Sequence, residues 1–346
     1  MSKVTQVQIF LLVLALGFLT GPRVLLALSK IGIGSDIGSS PNASQVVAVA
    51  DSDIKLSVVK PVIVAIKSPY DQLTLEAKSV YVWDISAHKK LYGKNEEKQL
   101  PLASVTKMMM ALVAVELLPS DTKVTINSID LESEGDNGLF LGEKWVLADL
   151  LKFTLISSSN DGASAIASVA GASLLHEASS SDPFLNKQLF VQRMNEKAEA
   201  IGLTNTHFSN ESGLDLDSVT SGAYGSTRDM AMLFQYIFKK HSELFTPTTY
   251  KKIDLTSLSK VTHHVANTNE GVARVTGLIG SKTGYTDLAG GNLVVVVDIG
   301  VDHPVVIAVL GSSREGRFTD IAQLISATVN EITQVDKLPD MNAQPR

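Results

Sequence analysis

The arrangement of apolar positions divides the chain from Leu75 onward into three parts. Val80 and Val82, interleaved with Tyr81 and Trp83, read as a strand; a turn near His88 and Lys89 and a return through Leu91 and Tyr92 make it a hairpin. The middle changes to helical spacing, with helices expected over Val105 to Leu118, Leu147 to Ile156, Ala163 to Ala170, Phe190 to Ile201 and Arg228 to Lys240. In the last of these, Met230, Leu233, Phe234 and Ile237 fall at i, i+3, i+4 and i+7, behind a Ser226 or Thr227 cap. Beyond residue 270 the strand signal returns at Gly280 to Thr283, Asn292 to Val297 and Val305 to Leu310, before a closing helix from Arg317 to about Ile332. The run from Asn292 to Val297 is almost continuous Val, as in a strand covered on both faces. Strands at both ends and helices between predict an α+β fold: one mainly antiparallel sheet of N- and C-terminal strands, covered by helices, with a helical middle subdomain.

Ahead of this domain (69–335), residues 30–68 are rich in Gly, Ser and Val with scattered Pro and read as a linker. Residues 1–29 hold an apolar run from Ile9 to Leu19 behind Lys3, too short to cross a bilayer, which takes roughly 18 to 20 apolar residues. Its dimensions suit a signal peptide, with Ala27-Leu28-Ser29 as a small-x-small cleavage site. The alternative is an uncleaved anchor over residues 9–28, carrying Arg23 at about 2.5 to 3.5 kcal/mol if central. Either reading puts the domain outside the cytoplasmic membrane, periplasmic or extracytoplasmic. A short polar tail, 336–346, ends the chain, so any membrane tether is expected at the N-terminus only.

Composition narrows the chemistry. Across 346 residues, 45% hydrophobic and 19% charged is globular, and the net charge of −6 argues against a nucleic-acid partner, which draws on excess Lys and Arg. There is no cysteine, so disulfides, thiolate metal sites and Cys nucleophiles are all removed and a nucleophile must be an oxygen or an amine. No His-Glu-x-x-His occurs, and adjacent His263 and His264 on a strand would point apart, so no metal or other cofactor is expected. Glu132, Glu134 and Asp136 read as a solvated acidic turn.

Three short motifs could carry a reaction. In Ala103-Ser104-Val105-Thr106-Lys107, the i, i+3 spacing at a helix start puts the Ser104 hydroxyl and the Lys107 amine on one face. Alone this is weak, since Ser-x-x-Lys recurs at Ser52, Ser57, Ser86, Ser120 and Ser257, and Ser104 could simply cap the helix. A capping box, however, wants Glu or Gln where Lys107 stands, and the positive helix end favours a neutral amine there. Ser158-Ser159-Asn160 lies between two helices and on its own reads as a cap. Lys282-Thr283-Gly284 lies on a strand, where a glycine is expected if a ligand's backbone comes close.

Together and in this order, the three resemble the set of the penicillin-recognising serine acyltransferases. More of the chain, residues 70 to about 332, resembles the D-alanyl-D-alanine carboxypeptidases, the low-molecular-mass penicillin-binding proteins. The resemblance runs through Trp83-Asp84 to Leu91-Tyr92, Leu102 to Met109, Ser158 to Asp161, His207 to Asp215, Asn267-Thr268-Asn269, Gly280 to Asp287 and Gly311 to Phe318. Ser159 stands where many members have Gly. The resemblance implies a β-lactamase/transpeptidase-like fold and a peptidoglycan stem peptide as substrate, with Ser104 as nucleophile, Lys107 as base and Ser158 relaying a proton to the leaving amine. It further implies that Asn160 holds the substrate amide, that Lys282, Thr283, Gly284 and Arg317 line the carboxylate site, and that the backbone N–H groups of Ser104 and Tyr285 form the oxyanion hole. Repulsion from Lys282 is expected to lower the pKa of Lys107. β-Lactams would then be covalent inhibitors. Cleavage of D,D cross-links is the alternative activity. A β-lactamase ranks below it, because the region matching a deacylating Glu loop reads Glu196-Lys197-Ala198-Glu199 inside a helix; a non-catalytic wall-binding module ranks lowest.

Overall fold

The computed structural model describes residues 68–335 apart from 136–137, 176–181 and 301, and apart from the side chains of 334 and 335. The expectations for residues 1–67, the signal or anchor and most of the linker, and for the tail 336–346 lie outside the described residues, as does Asp136. Among the described residues no helix is long and apolar enough to cross a membrane.

In chain order the strands are β1 (Ser79–Asp84), β2 (Lys89–Lys94), β3 (Leu100–Pro101), β4 (Lys123–Thr125), β5 (Lys144–Val146), β6 (His207–Phe208), β7 (Ala223–Gly225), β8 (Lys252–Thr256), β9 (Thr262–Ala266), β10 (Leu278–Thr286), β11 (Gly290–Asp298) and β12 (Pro304–Ser312). The helices are α1 (Lys107–Leu117), α2 (Leu147–Ser157), α3 (Asn160–Ala172), α4 (Pro183–Ala200), α5 (Thr227–Lys240) and α6 (Gly316–Val335). The main sheet runs β10-β11-β12-β1-β2 and every pair in it is antiparallel, so N- and C-terminal strands meet where β1 pairs with β12.

The Val-rich strands are buried on both faces, as their near-continuous apolar runs require. From β11, Leu293, Val295 and Val297 join Ile321, Leu324 and Ala327 of α6 on one side, while Val294 and Val296 join the core of the helical middle on the other. β12 alternates in the same way, Val305, Ile307 and Val309 against Val306, Ala308 and Leu310. Each such Val, Leu or Ile side chain, fully buried, is worth about 1.5 to 3 kcal/mol.

At the centre of the middle stands α1, apolar on every face and sealed from Lys107 to Ala114, as a helix surrounded by protein must be. α5 is the amphipathic counter-example: Ser226 caps it by accepting from the Asp229 N–H at 3.1 Å, and Met230, Leu233, Phe234 and Ile237 face inward. α3 is built of Ala, Ser and Gly, which lets α4 come so near that a Cβ on Gly171 would lie 1.8 Å from the Asn186 carbonyl oxygen. The short strands β3 to β9, two to five residues each, are additions to the pattern read from the sequence; β3-β7-β6, β4-β5 and β8-β9 form three small sheets around the middle. On β9, His263 is buried against Glu143 and His264 is exposed beside Asp254, pointing apart as expected. Glu132 and Glu134 are exposed.

Candidate active site

Five segments converge on the start of α1. A 3₁₀ turn, Ala103–Thr106, leads directly into the helix, and its cap position is Leu102, with no side-chain cap. Ser104 is therefore not a cap. Its Oγ lies 2.8 Å from Lys107 Nζ, on the face the i, i+3 spacing predicted. The same Nζ donates to Asn160 Oδ1 at 2.7 Å and to the Ser212 carbonyl at 3.0 Å. Lys107 is sealed from solvent, and burial pushes its pKa down to about 7, with the Glu211 carboxylate pulling the other way.

The Ser158-Ser159-Asn160 motif divides its work among three residues. Ser159 is the cap, its Oγ accepting from the Gly162 N–H at 2.9 Å. Ser158, between α2 and α3, takes a left-handed conformation at φ 64° and turns its hydroxyl toward Lys282, whose Nζ donates to it at 2.9 Å. Asn160 is not free to grip a substrate amide with both ends of its side chain. Its Oδ1 fixes Lys107 and its Nδ2 donates to the Glu134 carbonyl at 2.7 Å, so its first task here is to orient the base.

β10 supplies the other wall and is an edge strand of the main sheet. Lys282 is sealed, 1% exposed, and also donates to the Thr283 carbonyl. Burial holds its pKa well below the usual lysine range, and Lys107 and Arg317 push it further the same way. The expected repulsion between the two lysines thus falls on Lys282, while Lys107 is depressed by burial. Thr283 shares a 2.6 Å hydrogen bond with Thr268, itself 3.3 Å from the Ile156 carbonyl that it reaches as donor. Gly284 is close-packed, but against this chain's own backbone and not against an open ligand site: a Cβ there would lie 2.8 Å from the Leu102 carbonyl oxygen and 3.1 Å from the Val105 nitrogen. That seam brings the backbones of Ser104 and Tyr285 to one place. Arg317, from α6, is 6% exposed and donates to the Gly284 carbonyl at 2.8 Å, while its Nε is buried without a partner. The Arg314 guanidinium stands 5.4 Å over the Tyr285 ring at the mouth.

All the residues expected from sequence are thus brought together, with the two lysines sealed and the Ser104 and Ser158 hydroxyls half-buried between them. Sequence reasoning assigned no role to Ser212, Glu211, Thr268 or Asn292. Asn292 donates to the Pro101 and Leu102 carbonyls at 2.9 Å each and accepts from the Gly311 N–H, clamping the turn before Ser104 to the sheet. A polar Asn at the head of a buried apolar strand was the signal for it.

The sequence profile of the D-alanyl-D-alanine carboxypeptidase family matches residues 65–314. The chain is 32% identical over 222 residues to the D-alanyl-D-alanine carboxypeptidase DacF of Bacillus subtilis, covering 62% of this chain and 52% of the relative, and so spans about half that protein's length. It is 30% identical over 258 residues to a D-alanyl-D-alanine endopeptidase of Pseudomonas aeruginosa, 72% of this chain and 76% of the relative. Among solved structures, penicillin-binding protein D2 of Listeria monocytogenes in its ampicillin-bound form matches with a TM-score of 0.59 at 25% identity, over 74% of this chain and 98% of that one.

Proposed function

The chain belongs to the D-alanyl-D-alanine carboxypeptidase family, and from that premise we propose that it is a serine peptidase removing the terminal D-Ala from peptidoglycan stem peptides through an acyl-enzyme on Ser104. One observation carries this reading: a sealed lysine, its pKa pushed down to about 7, stands 2.8 Å from the hydroxyl of a half-buried serine, with a second sealed lysine in the same site.

Neutral Lys107 takes the proton of Ser104 as Oγ attacks the carbonyl of the penultimate D-Ala. The negative charge that develops on the carbonyl oxygen is received by the backbone N–H groups of Ser104 and Tyr285, a contribution of about 2.7 to 4 kcal/mol per donor in such sites. The proton taken by Lys107 is relayed through the Ser158 hydroxyl, which gives up its own proton to the leaving nitrogen and is reprotonated from Lys107; the C–N bond breaks, D-Ala departs and Lys107 is neutral again. Water then attacks the ester as neutral Lys107 takes a proton from it, and Lys107 returns that proton to Ser104 Oγ as the acyl group leaves. Lys282, Thr283 and Arg317 are buried cationic and hydroxyl donors, matched to a terminal carboxylate on the leaving side. β10, as an edge strand, leaves main-chain groups for an extended peptide to pair with. β-Lactams, with a carboxylate beside a reactive amide, fit the same contacts, a reading supported by the ampicillin-bound relative. We place the activity outside the cytoplasmic membrane, which the Ile9 to Leu19 run behind Lys3 supports.

Cross-link cleavage is the second reading, favoured by the similarity to the Pseudomonas aeruginosa endopeptidase. Digestion of purified muropeptides separates the two. Release of free D-Ala from pentapeptide monomers by the wild type, abolished in Ser104→Ala, is the expected result. Conversion of cross-linked dimers to monomers without D-Ala release would establish the second reading instead, and inertness toward both substrates would overturn the proposal.

A further inference from the structure

The site has two walls, and one threonine touches both. On one side the last turn of α2 ends at Ser157 and delivers Ser158; on the other, β10 carries Lys282 and Thr283. Between them runs Asn267-Thr268-Asn269, which follows β9 directly. The two asparagines hold this segment in place. The Asn267 side chain donates to the Thr248 and Tyr250 carbonyls at 2.8 and 2.9 Å and accepts from the Asn269 N–H at 2.8 Å. Asn269 Nδ2 in turn donates to Ser281 Oγ on β10 at 3.0 Å. The backbone of Thr268 is thereby fixed from both sides.

The last four carbonyls of an α-helix find no partner within it. Ile156, in the last turn of α2, presents one of them, and Thr268 meets it twice, through its N–H at 3.1 Å and through its hydroxyl at 3.3 Å. A hydroxyl has a single proton to give. With that proton on Ile156, Thr268 Oγ1 is the acceptor in the 2.6 Å contact with Thr283, and Thr283 is the donor. Thr283 is itself buried, so in this arrangement the proton it would offer to a carboxylate is held inside the protein.

We propose that Thr268 is a positioning residue acting through Thr283: it holds the Thr283 proton in reserve and, when a substrate carboxylate arrives, turns its own proton from Ile156 to Thr283. Thr283 then donates outward while its oxygen gains a donor behind it. Ile156 keeps the Thr268 N–H at 3.1 Å, and the bond given up is the longer of the two. The result is a chain from Thr268 through Thr283 to the carboxylate, and hydrogen bonds in such a chain polarise and strengthen one another. Both hydroxyls keep their own protons, and only their directions change. The proposal rests on Thr283 being a contact of the carboxylate but not on which peptide is the natural substrate.

The test is the second-order rate constant for acylation of the full chain by a fluorescent penicillin, which has a free carboxylate, and by its methyl ester, which has none. Thr268→Val keeps the branched shape and the N–H but removes the hydroxyl; Thr268→Ala is measured beside it, so that a valine that fits badly does not decide the result. Both are expected to slow the free acid about fivefold, the scale of one neutral hydrogen bond, and to leave the ester within about twofold of wild type. Thr268→Ser, which restores the hydroxyl, should return the free acid to about the wild-type rate. In a Thr283→Val background, Thr268→Val should cost the free acid nothing further. Equal losses on acid and ester, the signature of a merely structural residue, overturn the proposal. So do an unmoved rate for the free acid, a serine variant as slow as the valine one, and additive losses in the double variant. A wild type that takes acid and ester equally well removes the carboxylate reading of Thr283, and one that neither compound acylates removes the Ser104–Lys107 reading, outcomes distinct from the others.

Discussion

Lys197 and Lys107 are both buried lysines of the helical middle, and their surroundings have opposite effects. Lys197, on α4, is 9% exposed, donates to Glu116 at 2.5 Å and to the Tyr236 hydroxyl at 3.0 Å, and stands 4.6 Å from the Tyr236 ring. Burial lowers its pKa, but the bonds to Glu116 and Tyr236 more than offset this and leave it raised. Lys107 is met by a hydroxyl, an amide oxygen and a peptide carbonyl, with its one carboxylate held at a distance, and burial prevails. Burying a lysine does not by itself make a base; surrounding it with neutral acceptors does.

The sharpest way to break this contrast is Lys107→Met. Acylation of Ser104 is expected to fall by about 10³-fold or more, measured with a fluorescent penicillin, since general-base catalysis contributes roughly 10² to 10⁴. Stability gives a second readout. The unfolded chain keeps the lysine proton up to about 10.5 and the folded one only to about 7, so the cost of burying Lys107 is full below pH 7 and fades as the pH rises to 10.5. The melting-temperature difference between variant and wild type should therefore become steadily less favourable to the variant across that window.

A smaller effect is expected at the other sealed lysine. Lys282→Ala should raise KM about 10- to 100-fold for a peptide ending in a free carboxylate, the loss of a charge-assisted hydrogen bond, and leave a C-terminally amidated peptide unaffected. Equal losses on both peptides would show that Lys282 serves the chemistry and not the carboxylate. The smallest effect belongs to the structural lysine: Lys197→Met should cost about 1 to 2 kcal/mol in chemical denaturation and leave acylation at the wild-type rate.

The groups legible in the sequence were those whose role depends on their own side chain and spacing. Ser104 and Lys107, one helical turn apart, the Val-rich strands and the face of α5 all announced themselves. What stayed hidden acts through the backbone or across the fold. The Ser212 carbonyl that holds Lys107 carries no side-chain signal, and strands of two to five residues, such as β6 and β7, are too short for a period. Nor does the sequence show that the loop 209–214 is folded against the Ser104 turn, since the contact that reveals it, from Lys107 to the Ser212 carbonyl, spans 105 residues. Asn160 could be placed beside the motif from its spacing, but its hydrogen bond to Lys107 joins residues 53 apart and leaves no mark in the sequence.

Those separations bear on when the protein becomes reactive. Lys107 is 105 residues from Ser212, and Lys282 is 124 from Ser158, so the site has a high contact order and closes only when nearly the whole domain is in place. In an unfolded chain Ser104 and Lys107 remain neighbours, but the lysine is solvated and carries its proton at neutral pH, and the hydroxyl has no base. Nascent or partly folded molecules are accordingly chemically silent, and a covalent probe of Ser104 counts finished molecules alone.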